Sequence, residues 1–330
     1  MRCCVKITYS IDMIEGKCML SVVIPAYNEE ENIAAAAQEI STVLVNAEID
    51  FEIVFVNDGS KDGTWQEILR CAGVDRRVRG ICFSRNFGKE AAIFAGLAQA
   101  DGDCCVVIDC DLQHPPEKIT EMYSLWQEGF DVVEGVKADR GKESAAHSFA
   151  AKCFYRIISR ASKMDMEHAS DFKLLDRKVV NVLLNMPEKH AFFRALSSWV
   201  GFESTQVTYD VRERQAGTSK WSTRSLMKYA VTNITSFSAA PMQIITVLGV
   251  IVFIFSLVLG VWTLIQKIRG VALGGFTTVI IMIGFIGSML MISLGIIGYY
   301  IEKIYEEIKG RPRYIISCVT PDYEEEGENF

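Results

Sequence analysis

The 330-residue sequence contains ten cysteines but no C-x-x-C pair, the spacing that is typical of zinc sites and redox motifs. Most of the cysteines lie in apolar, strand-like runs, where a free thiol behaves as a small hydrophobic side chain. We therefore expect reduced thiols facing the cytoplasm, and neither a disulfide framework nor a zinc site. The sequence also lacks a G-x-G-x-x-G or P-loop motif, which argues against a dinucleotide-dependent dehydrogenase or a kinase.

An excess of positive charge is missing as well. The formal net charge is −7, and five of the negative charges lie in residues 321–330. The near balance elsewhere argues against a protein that binds nucleic acid through its phosphates, and the acidic end is expected to be a solvated tail. Residues 1–18 carry five charges and no sustained apolar run, so they do not resemble a signal peptide. We interpret them as an N-terminal extension without fixed structure.

Two long uncharged runs stand out in a chain whose mean hydropathy is positive, at +0.19. Residues 241–266 and 276–301 each contain 26 residues without a charged side chain. A bilayer core needs about 20 helical residues, so both runs are long enough to span it. The alternative is a pair of core helices in a soluble domain, but such helices usually carry a polar stripe. The short connection between the runs predicts an antiparallel transmembrane hairpin.

More basic residues lie before the first run and after the second run than lie between the two runs. Only Lys267 and Arg269 lie between the two runs. The flanking basic residues are Lys220, Arg224 and Lys228 before the first run, and Lys303, Lys309, Arg311 and Arg313 after the second. The positive-inside rule therefore predicts a multi-pass protein of the inner membrane with both termini in the cytoplasm. Residues 222–240 read as a juxtamembrane amphipathic helix or a plain linker, and residues 302–330 as a cytoplasmic tail.

Residues 19–221 show a regular alternation of apolar β-rich runs and helical patterns as far as about residue 140. The runs at 21–26, 51–56, 78–83 and 104–109 have no polar alternation, which is typical of strands buried on both faces. Helical patterns at about 29–45, 63–73, 87–99 and 116–128 separate them. This order predicts an α/β domain with a parallel sheet.

A polar segment follows each of the four predicted strands. Asn28 follows the first and is expected to cap the next helix, with Glu31 at the capping-box position. The segments after the other strands begin at Asn57, Ser84 and Asp109. Ligands of open α/β sheets bind outside the carboxyl ends of the strands, so four such segments predict a single cleft.

Asp109 and Asp111 are the most informative pair in these segments. Two carboxylates at one strand end repel each other unless a cation lies between them. Mg²⁺ and Mn²⁺ take oxygen ligands, and Mg²⁺ commonly bridges a protein carboxylate to a substrate phosphate. The alternative is an ordinary acidic helix start. The neighbouring Gln113 and the prolines at 115 and 116 favour a metal-binding loop that ends in a helix.

The motifs taken together resemble the polyprenyl-phosphate glycosyltransferases of glycosyltransferase family 2, over about residues 19–316. This group includes bactoprenol glucosyltransferases and dolichol-phosphate mannose synthases. The motifs are PAYNEEENI, VNDGSKDGT, SRNFGKEAAIFAGL, DCDLQHPPE, SDFKLLDRK and RERQAGTSKW, followed by two spans and YEEIKGRPRYI. The resemblance implies a GT-A-type doubly wound, mostly parallel sheet, followed by an interfacial helix and a two-helix transmembrane hairpin.

The resemblance also implies site residues and a cofactor. A divalent metal, Mg²⁺ or Mn²⁺, would be held by Asp111 and Gln113, and Asp171 would be catalytic together with Asp111. The implied nucleotide-sugar-binding residues are Pro25, Tyr27, Glu29, Asp58, Lys89 and Asp109. The implied phosphate- or acceptor-binding residues are Arg140, Arg212, Arg214, Ser219 and Lys220.

The reaction that these expectations describe is the inverting transfer of one sugar, with UDP-glucose as the first choice of donor, to undecaprenyl phosphate. The product would supply lipid-linked sugar for modification of cell-envelope glycans. A homo-oligomer, a tetramer by family likeness, is expected in membrane lipid. The alternatives are a GDP-mannose transferase like the dolichol-phosphate mannose synthases, a membrane-bound polysaccharide synthase, and an inactive scaffold. Because the acceptor phosphate is already largely ionised at neutral pH, Asp171 is expected to orient substrate more than to remove a proton.

Overall fold

The computed structural model describes residues 18–138, 170–188, 192–212, 240–270 and 275–321. Within these ranges the chain forms one eight-stranded sheet with helices on both faces, and two long helices near the C-terminus. The strands are β1 (Met19–Ala26), β2 (Asp50–Asn57), β3 (Val78–Phe83), β4 (Cys104–Val107), β5 (Val132–Lys137), β6 (Lys173–Asp176), β7 (Ser204–Tyr209) and β8 (Ile316–Val319). The helices are α1 (Ile33–Asn46), α2 (Thr64–Val74), α3 (Lys89–Gln99), α4 (Glu117–Gln127), α5 (Arg177–Leu184), α6 (Phe193–Trp199), α7 (Ala240–Ile268) and α8 (Phe276–Ile308).

The four apolar runs of the first half form the central strands, as predicted. The strand order is β7-β5-β6-β4-β1-β2-β3-β8. Strands β4, β1, β2 and β3 are mutually parallel. Val22, Val23 and Ile24 of β1 have no solvent exposure, because helices cover both faces of the sheet. The expected α/β fold is therefore confirmed.

The second half of the sheet mixes strand directions. Strand β6 runs antiparallel to both β4 and β5, while β5 and β7 are parallel to each other. The reversed strand β6 begins at Lys173, directly after Asp171 and Phe172. Lys173 pairs with Val107, the last residue of β4. Because β6 runs in reverse, its start lies at the edge of the sheet where β4 ends. Asp171 is thereby brought to the polar segments that follow the parallel strands.

Helices α7 and α8 contain the two long apolar runs of the sequence. The first predicted span, 241–266, lies within α7, and α8 continues seven residues beyond the predicted end of the second span, 276–301. Both helices are long and apolar enough to cross a membrane, judged by length and composition. Large apolar side chains such as Phe253 and Met291 are 67% and 70% exposed, which is unfavourable in water and favourable in lipid.

The segment after α8 returns to the sheet. Strand β8 pairs antiparallel with β3, with Cys318 opposite Cys82, and Thr320 Oγ1 accepts a hydrogen bond of 3.0 Å from Gly80 N. Tyr314 stacks on Phe83, with ring centroids 5.1 Å apart. Part of the segment predicted as a tail, 302–330, is therefore an edge strand of the same sheet that carries the polar segments.

Several domain predictions fall outside the described residues. They concern the N-terminal extension, apart from Cys18, and the juxtamembrane helix at 222–240, apart from its last residue. The boundaries of the catalytic domain at 19 and 221 stay predictions.

Candidate active site

The segments after β1 and β2 are tied to each other by hydrogen bonds. Asn28 N donates to Ser60 Oγ (2.9 Å), and Lys61 N donates to Asn28 Oδ1 (2.9 Å). Asn28 has a φ of 54°, a left-handed conformation that asparagine tolerates better than most residues. The predicted capping role of Asn28 is therefore wrong, since its side chain bridges two loops and α1 begins only after Asn32.

The predicted nucleotide-binding residues of this loop flank Asn28 in the sequence. Pro25 is half-buried near the end of β1, and Tyr27 is 39% exposed. Glu29 is held at both ends, since its N–H donates to Thr64 Oγ1 (2.9 Å) and its Oε2 accepts from Asn32 Nδ2 (2.6 Å). The exposed ring of Tyr27 therefore stands on a loop whose backbone is fixed by hydrogen bonds.

Asp58 holds the segment after β3 against the segment after β2. Its carboxylate is buried and accepts hydrogen bonds from Phe87 N (2.6 Å) and Gly88 N (2.9 Å). Burial raises the pKa of Asp58, although both N–H groups favour the ionised form. Gly59 has a φ of +63°, and a Cβ there would lie 2.6 Å from Asn86 N, so the close approach requires glycine.

Lys89 joins two carboxylates that are far apart in the sequence. Its Nζ lies 2.6 Å from Asp109 Oδ1 and 2.8 Å from Asp171 Oδ2. Lys89 is the first residue of α3, Asp109 follows β4, and Asp171 precedes β6. Three elements thus place their charged side chains at one point beside the ends of the parallel strands.

Asp171 has a second cationic partner, Arg194, which sequence reasoning missed. Arg194 Nε lies 2.6 Å from Asp171 Oδ1, and Arg194 Nη2 lies 2.7 Å from Asp171 Oδ2. This two-pronged contact matches the geometry of guanidinium and carboxylate. The side chain of Asp171 is only 5% exposed, and each of its two oxygens contacts a cationic group. Asp171 does not cap α5, because Asp176 does so by accepting a hydrogen bond from Lys178 N.

The carboxyl groups of this cluster differ in pKa because they differ in burial and in the charges beside them. Burial opposes ionisation of Asp171, but Lys89 and Arg194 outweigh it and hold the pKa of Asp171 well below its usual range. Burial likewise opposes ionisation of Asp109, but the charge of Lys89 outweighs it and lowers the pKa of Asp109. The neighbouring Glu90 differs, because burial and the charge of Asp171 raise its pKa to about 7. At neutral pH, Asp171 is therefore a fixed anion and a weak base.

Asp111 and Gln113 lie in the turn that follows β4, and both are partly exposed. Gln113 N donates to Asp111 Oδ1 (3.2 Å). Within the described residues, no group of three His, Cys, Asp or Glu side chains is placed to hold a metal. One carboxylate and one amide are hard oxygen donors, and such a small donor set fits Mg²⁺ or Mn²⁺ completed by substrate phosphate and water. The residues present therefore fit the predicted ion.

His114, next to this turn, is packed rather than available for binding. Its ring stacks on Phe172 at 5.1 Å and meets Tyr209 edge-on at 5.4 Å. Burial lowers the pKa of His114, so the imidazole is neutral at physiological pH. This packing fixes His114 against residues that flank β6 and β7, next to the turn after β4.

Arg212 is the one predicted phosphate-binding residue that the structure describes. The backbone N–H of Arg212 donates to Gln113 O (3.1 Å), which places Arg212 beside the turn that carries Asp111. The guanidinium of Arg212 pairs with Glu117 (2.7 Å) and with Glu39. A phosphate would therefore compete with two carboxylates for it. The other predicted members of this group, Arg140, Arg214, Ser219 and Lys220, lie outside the described residues.

Comparison with known proteins places the chain in a family. The family model described as glycosyl transferase family 2 matches residues 21–183. An uncharacterized glycosyltransferase of Synechocystis sp. is 40% identical over 300 residues, which cover 90% of this chain and 94% of that protein. The chain belongs to glycosyl transferase family 2. The resemblance predicted from the motifs is thereby confirmed. The mostly parallel sheet agrees with the GT-A-type fold that this resemblance implies.

Two further proteins that are similar to this chain have more specific names. The SfII prophage-derived bactoprenol glucosyl transferase of Shigella flexneri is 38% identical over 299 residues, covering 90% of this chain and 97% of that protein. A crystal structure of glucosyl-3-phosphoglycerate synthase from Mycobacterium tuberculosis, in complex with Mn²⁺, uridine diphosphate and glucosyl-3-phosphoglycerate, is 22% identical. It covers 66% of this chain and 79% of that chain, with a TM-score of 0.45.

In this glycosyltransferase the described site residues divide into two groups. Asp58, Lys89, Asp109 and Asp171 are linked through the first turn of α3. Asp111, Gln113 and Arg212 are linked through the turn after β4. Asp109 and Asp111 are two residues apart, so the two groups adjoin at the end of β4.

Proposed function

We propose that the protein transfers one hexose from a nucleotide-sugar, UDP-glucose as the first choice, to undecaprenyl phosphate, with inversion at the anomeric carbon. The observation that carries the proposal is the combination of the charged cluster at the strand ends with two apolar helices that connect back to the same sheet through β8. The bactoprenol glucosyl transferase of Shigella flexneri, similar over 90% of this chain, supports the choice of acceptor and sugar.

The chain's own residues divide the work of binding and transfer. The loop with Pro25, Tyr27 and Glu29, which is tied to the segment after β2, would bind the nucleoside. Asp58 holds the segment after β2 against the residues that precede α3. Asp171 is ionised and held by two cations, so it orients substrate and favours positive charge on the sugar as the donor bond breaks. The acceptor phosphate needs no strong base because its second pKa is near 6.

Mg²⁺ or Mn²⁺ would be held by Asp111 and Gln113. When bound, the ion stabilises the negative charge of the departing nucleoside diphosphate. Lys89 contacts Asp109, two residues before Asp111, and helps to keep the pKa of the Asp109 carboxyl group below its usual value.

The membrane arrangement that we propose has the catalytic domain and both termini in the cytoplasm. The excess of basic residues outside the apolar pair supports this orientation. The pairing of β8 with β3 supports it too, since the chain after α8 belongs to the same domain as the chain before α7. In a variant with Cys318 as the single cysteine, we expect thiol labelling in inverted vesicles and none in intact spheroplasts. A single cysteine replacing Ala272, between the helices, should give the reverse result.

A donor panel tests the reaction. The full-length protein in detergent is incubated with radiolabelled UDP-glucose, UDP-galactose, UDP-N-acetylglucosamine or GDP-mannose, each with undecaprenyl or dolichyl phosphate. We expect label to enter the lipid phase best from UDP-glucose with undecaprenyl phosphate, and transfer to stop with a chelator and resume with Mg²⁺ or Mn²⁺. Transfer from GDP-mannose alone would replace the proposed donor, and no labelled lipid from any donor would refute the reaction.

A further inference from the structure

The contact between Asp171 and Arg194 depends on a helix too short to position Arg194 by itself. Helix α6 has seven residues, and isolated helices of that length are unstable in water. Arg194 is its second residue. The position of the guanidinium is therefore decided by what holds α6 against the rest of the domain.

The first turn of α3 provides one such attachment. Glu90 Oε2 accepts a hydrogen bond of 2.8 Å from Phe193 N, the first N–H of α6. Glu90 directly follows Lys89 in α3. Of these two consecutive side chains, Lys89 contacts Asp171 and Glu90 contacts α6, the helix that contains Arg194. Phe94, one turn further along α3, packs edge-on against Phe193 with ring centroids 6.4 Å apart.

Strand β6 provides the second attachment. Lys173, which is only 1% exposed, donates from Nζ to Ser197 Oγ (2.9 Å) and to Arg194 O (3.4 Å). Its charge is balanced by Glu134 Oε1 at 3.0 Å. Since Lys173 lies two residues after Asp171, the same strand start carries the carboxylate and grips the helix that supplies its partner.

We propose that Arg194 is a positioning residue for sugar transfer: it holds the carboxylate of Asp171 in one orientation, and Glu90 holds Arg194 in place through the first turn of α6. This inference rests on the proposed function. Arg194 acts through Asp171, so its removal should matter only while Asp171 carries its carboxylate. The charges that act on Glu90 are those of Asp171 and Arg194 from neighbouring elements and that of Lys89 from its own helix.

A double-variant comparison of transfer rates tests the inference, using UDP-[¹⁴C]glucose and undecaprenyl phosphate with the full-length protein in detergent. We expect Arg194→Gln to lower kcat on the order of 100-fold, because a misplacement of about 1 Å can cost that much. The KM for the nucleotide-sugar should change by less than about three-fold. Arg194→Lys should fall between, because lysine keeps the charge but loses the two-pronged contact.

The decisive variant combines Arg194→Gln with Asp171→Asn. We expect its kcat to lie within about three-fold of Asp171→Asn alone, because residues that act as a unit are not additive. A merely structural role of Arg194 would instead lower kcat by the same factor in both backgrounds, and that result would overturn the proposal. Arg70→Gln is the matched control, since Arg70 pairs with Glu67 on the surface and is 66% exposed. It should leave kcat unchanged.

Two variants of Glu90 test the second part and serve if Arg194→Gln does not fold. Glu90→Gln retains an oxygen that can accept from Phe193 N, whereas Glu90→Ala does not. We expect kcat of Glu90→Gln to exceed that of Glu90→Ala by about ten-fold or more, as the loss of a partly buried hydrogen bond would allow. Equal kcat values would overturn the role of Glu90. If the wild-type protein transfers no sugar from any donor, the proposed function fails and this inference fails with it. Transfer by wild type with additive losses overturns this inference alone.

Discussion

Lys89 offers a direct measure of how strongly the charged cluster stabilises the domain. We consider Lys89→Met, which keeps the aliphatic side chain but removes the ammonium group lying 2.6 Å from Asp109 and 2.8 Å from Asp171. Removing one partner of a buried ion pair costs about 3–5 kcal/mol. Lys89 is 40% exposed, and Asp171 keeps Arg194 as a partner, so water and the remaining cation reduce the loss. We expect about 2 kcal/mol, since exposed pairs contribute roughly 0–1 kcal/mol.

The matched control is Lys118→Met. Lys118 pairs with Glu121 at 2.7 Å, almost the distance of the Lys89 contacts, but Glu121 is 51% exposed whereas Asp171 is 5% exposed. For a domain of this size about 1 kcal/mol shifts the unfolding midpoint by roughly 2–4 °C. The midpoint of thermal unfolding in detergent should therefore drop by roughly 4–8 °C for Lys89→Met. It should drop by no more than about 2 °C for Lys118→Met, because an ion pair three residues apart in one helix contributes about 0.5 kcal/mol or less.

The pH dependence of that difference checks its electrostatic origin. The folded-state pKa of Asp171 is depressed, so its contribution to stability is present above the ordinary aspartate pKa of 3.8 and is lost as pH falls through the folded-state value. The gap between wild type and Lys89→Met should thus be widest at pH 7.5 and shrink below about pH 4. Equal losses for both lysine variants, or a gap that stays constant with pH, would refute the reasoning.

Three further predictions follow from single contacts. Glu90, whose pKa is raised from 4.5 to about 7, holds a proton in the folded state that the unfolded chain releases, so stability falls as pH rises through that window. Glu90→Gln should therefore gain in unfolding midpoint relative to wild type between pH 5 and pH 8, and a constant difference would contradict this. Thr320→Val leaves Gly80 N unsatisfied beside β8 and should cost about 1–3 kcal/mol in urea unfolding, against less than about 0.5 for the exposed control Ser317→Ala. Asp111→Asn should lower sugar transfer by more than about 100-fold with an unchanged unfolding midpoint, and full activity in the transfer assay would count against the metal site.

The positions of Asp58, Lys89, Asp109 and Asp111 could be predicted from the sequence because each follows a buried apolar strand. Parallel strands end at one edge of a sheet, so residues placed there by local pattern meet in space without further information. The two long helices were equally predictable, since 26 uncharged residues have few alternatives to a helix in lipid or in a core.

Arg194 and Glu90 carried no such signal. Arg194 lies within a seven-residue helix without a motif, and the partner of Glu90 is 103 residues away along the chain. The edge strand β8 was missed for the same reason. It has only four residues, and its partner β3 lies far away along the chain, on the other side of the two apolar helices in the sequence. Thr320 reaches Gly80 over 240 residues.

What the amino-acid sequence determined by itself is therefore the central parallel sheet, the chemistry gathered at its edge and the apolar pair of helices. These follow from local periodicity and from solvent preference, which act over a few residues at a time. Only the tertiary structure decided which cations hold Asp171 and that the chain after α8 rejoins the sheet. Buried charges must find partners wherever packing brings them, and an unpaired strand edge accepts any segment of suitable length, so neither outcome is written in neighbouring residues.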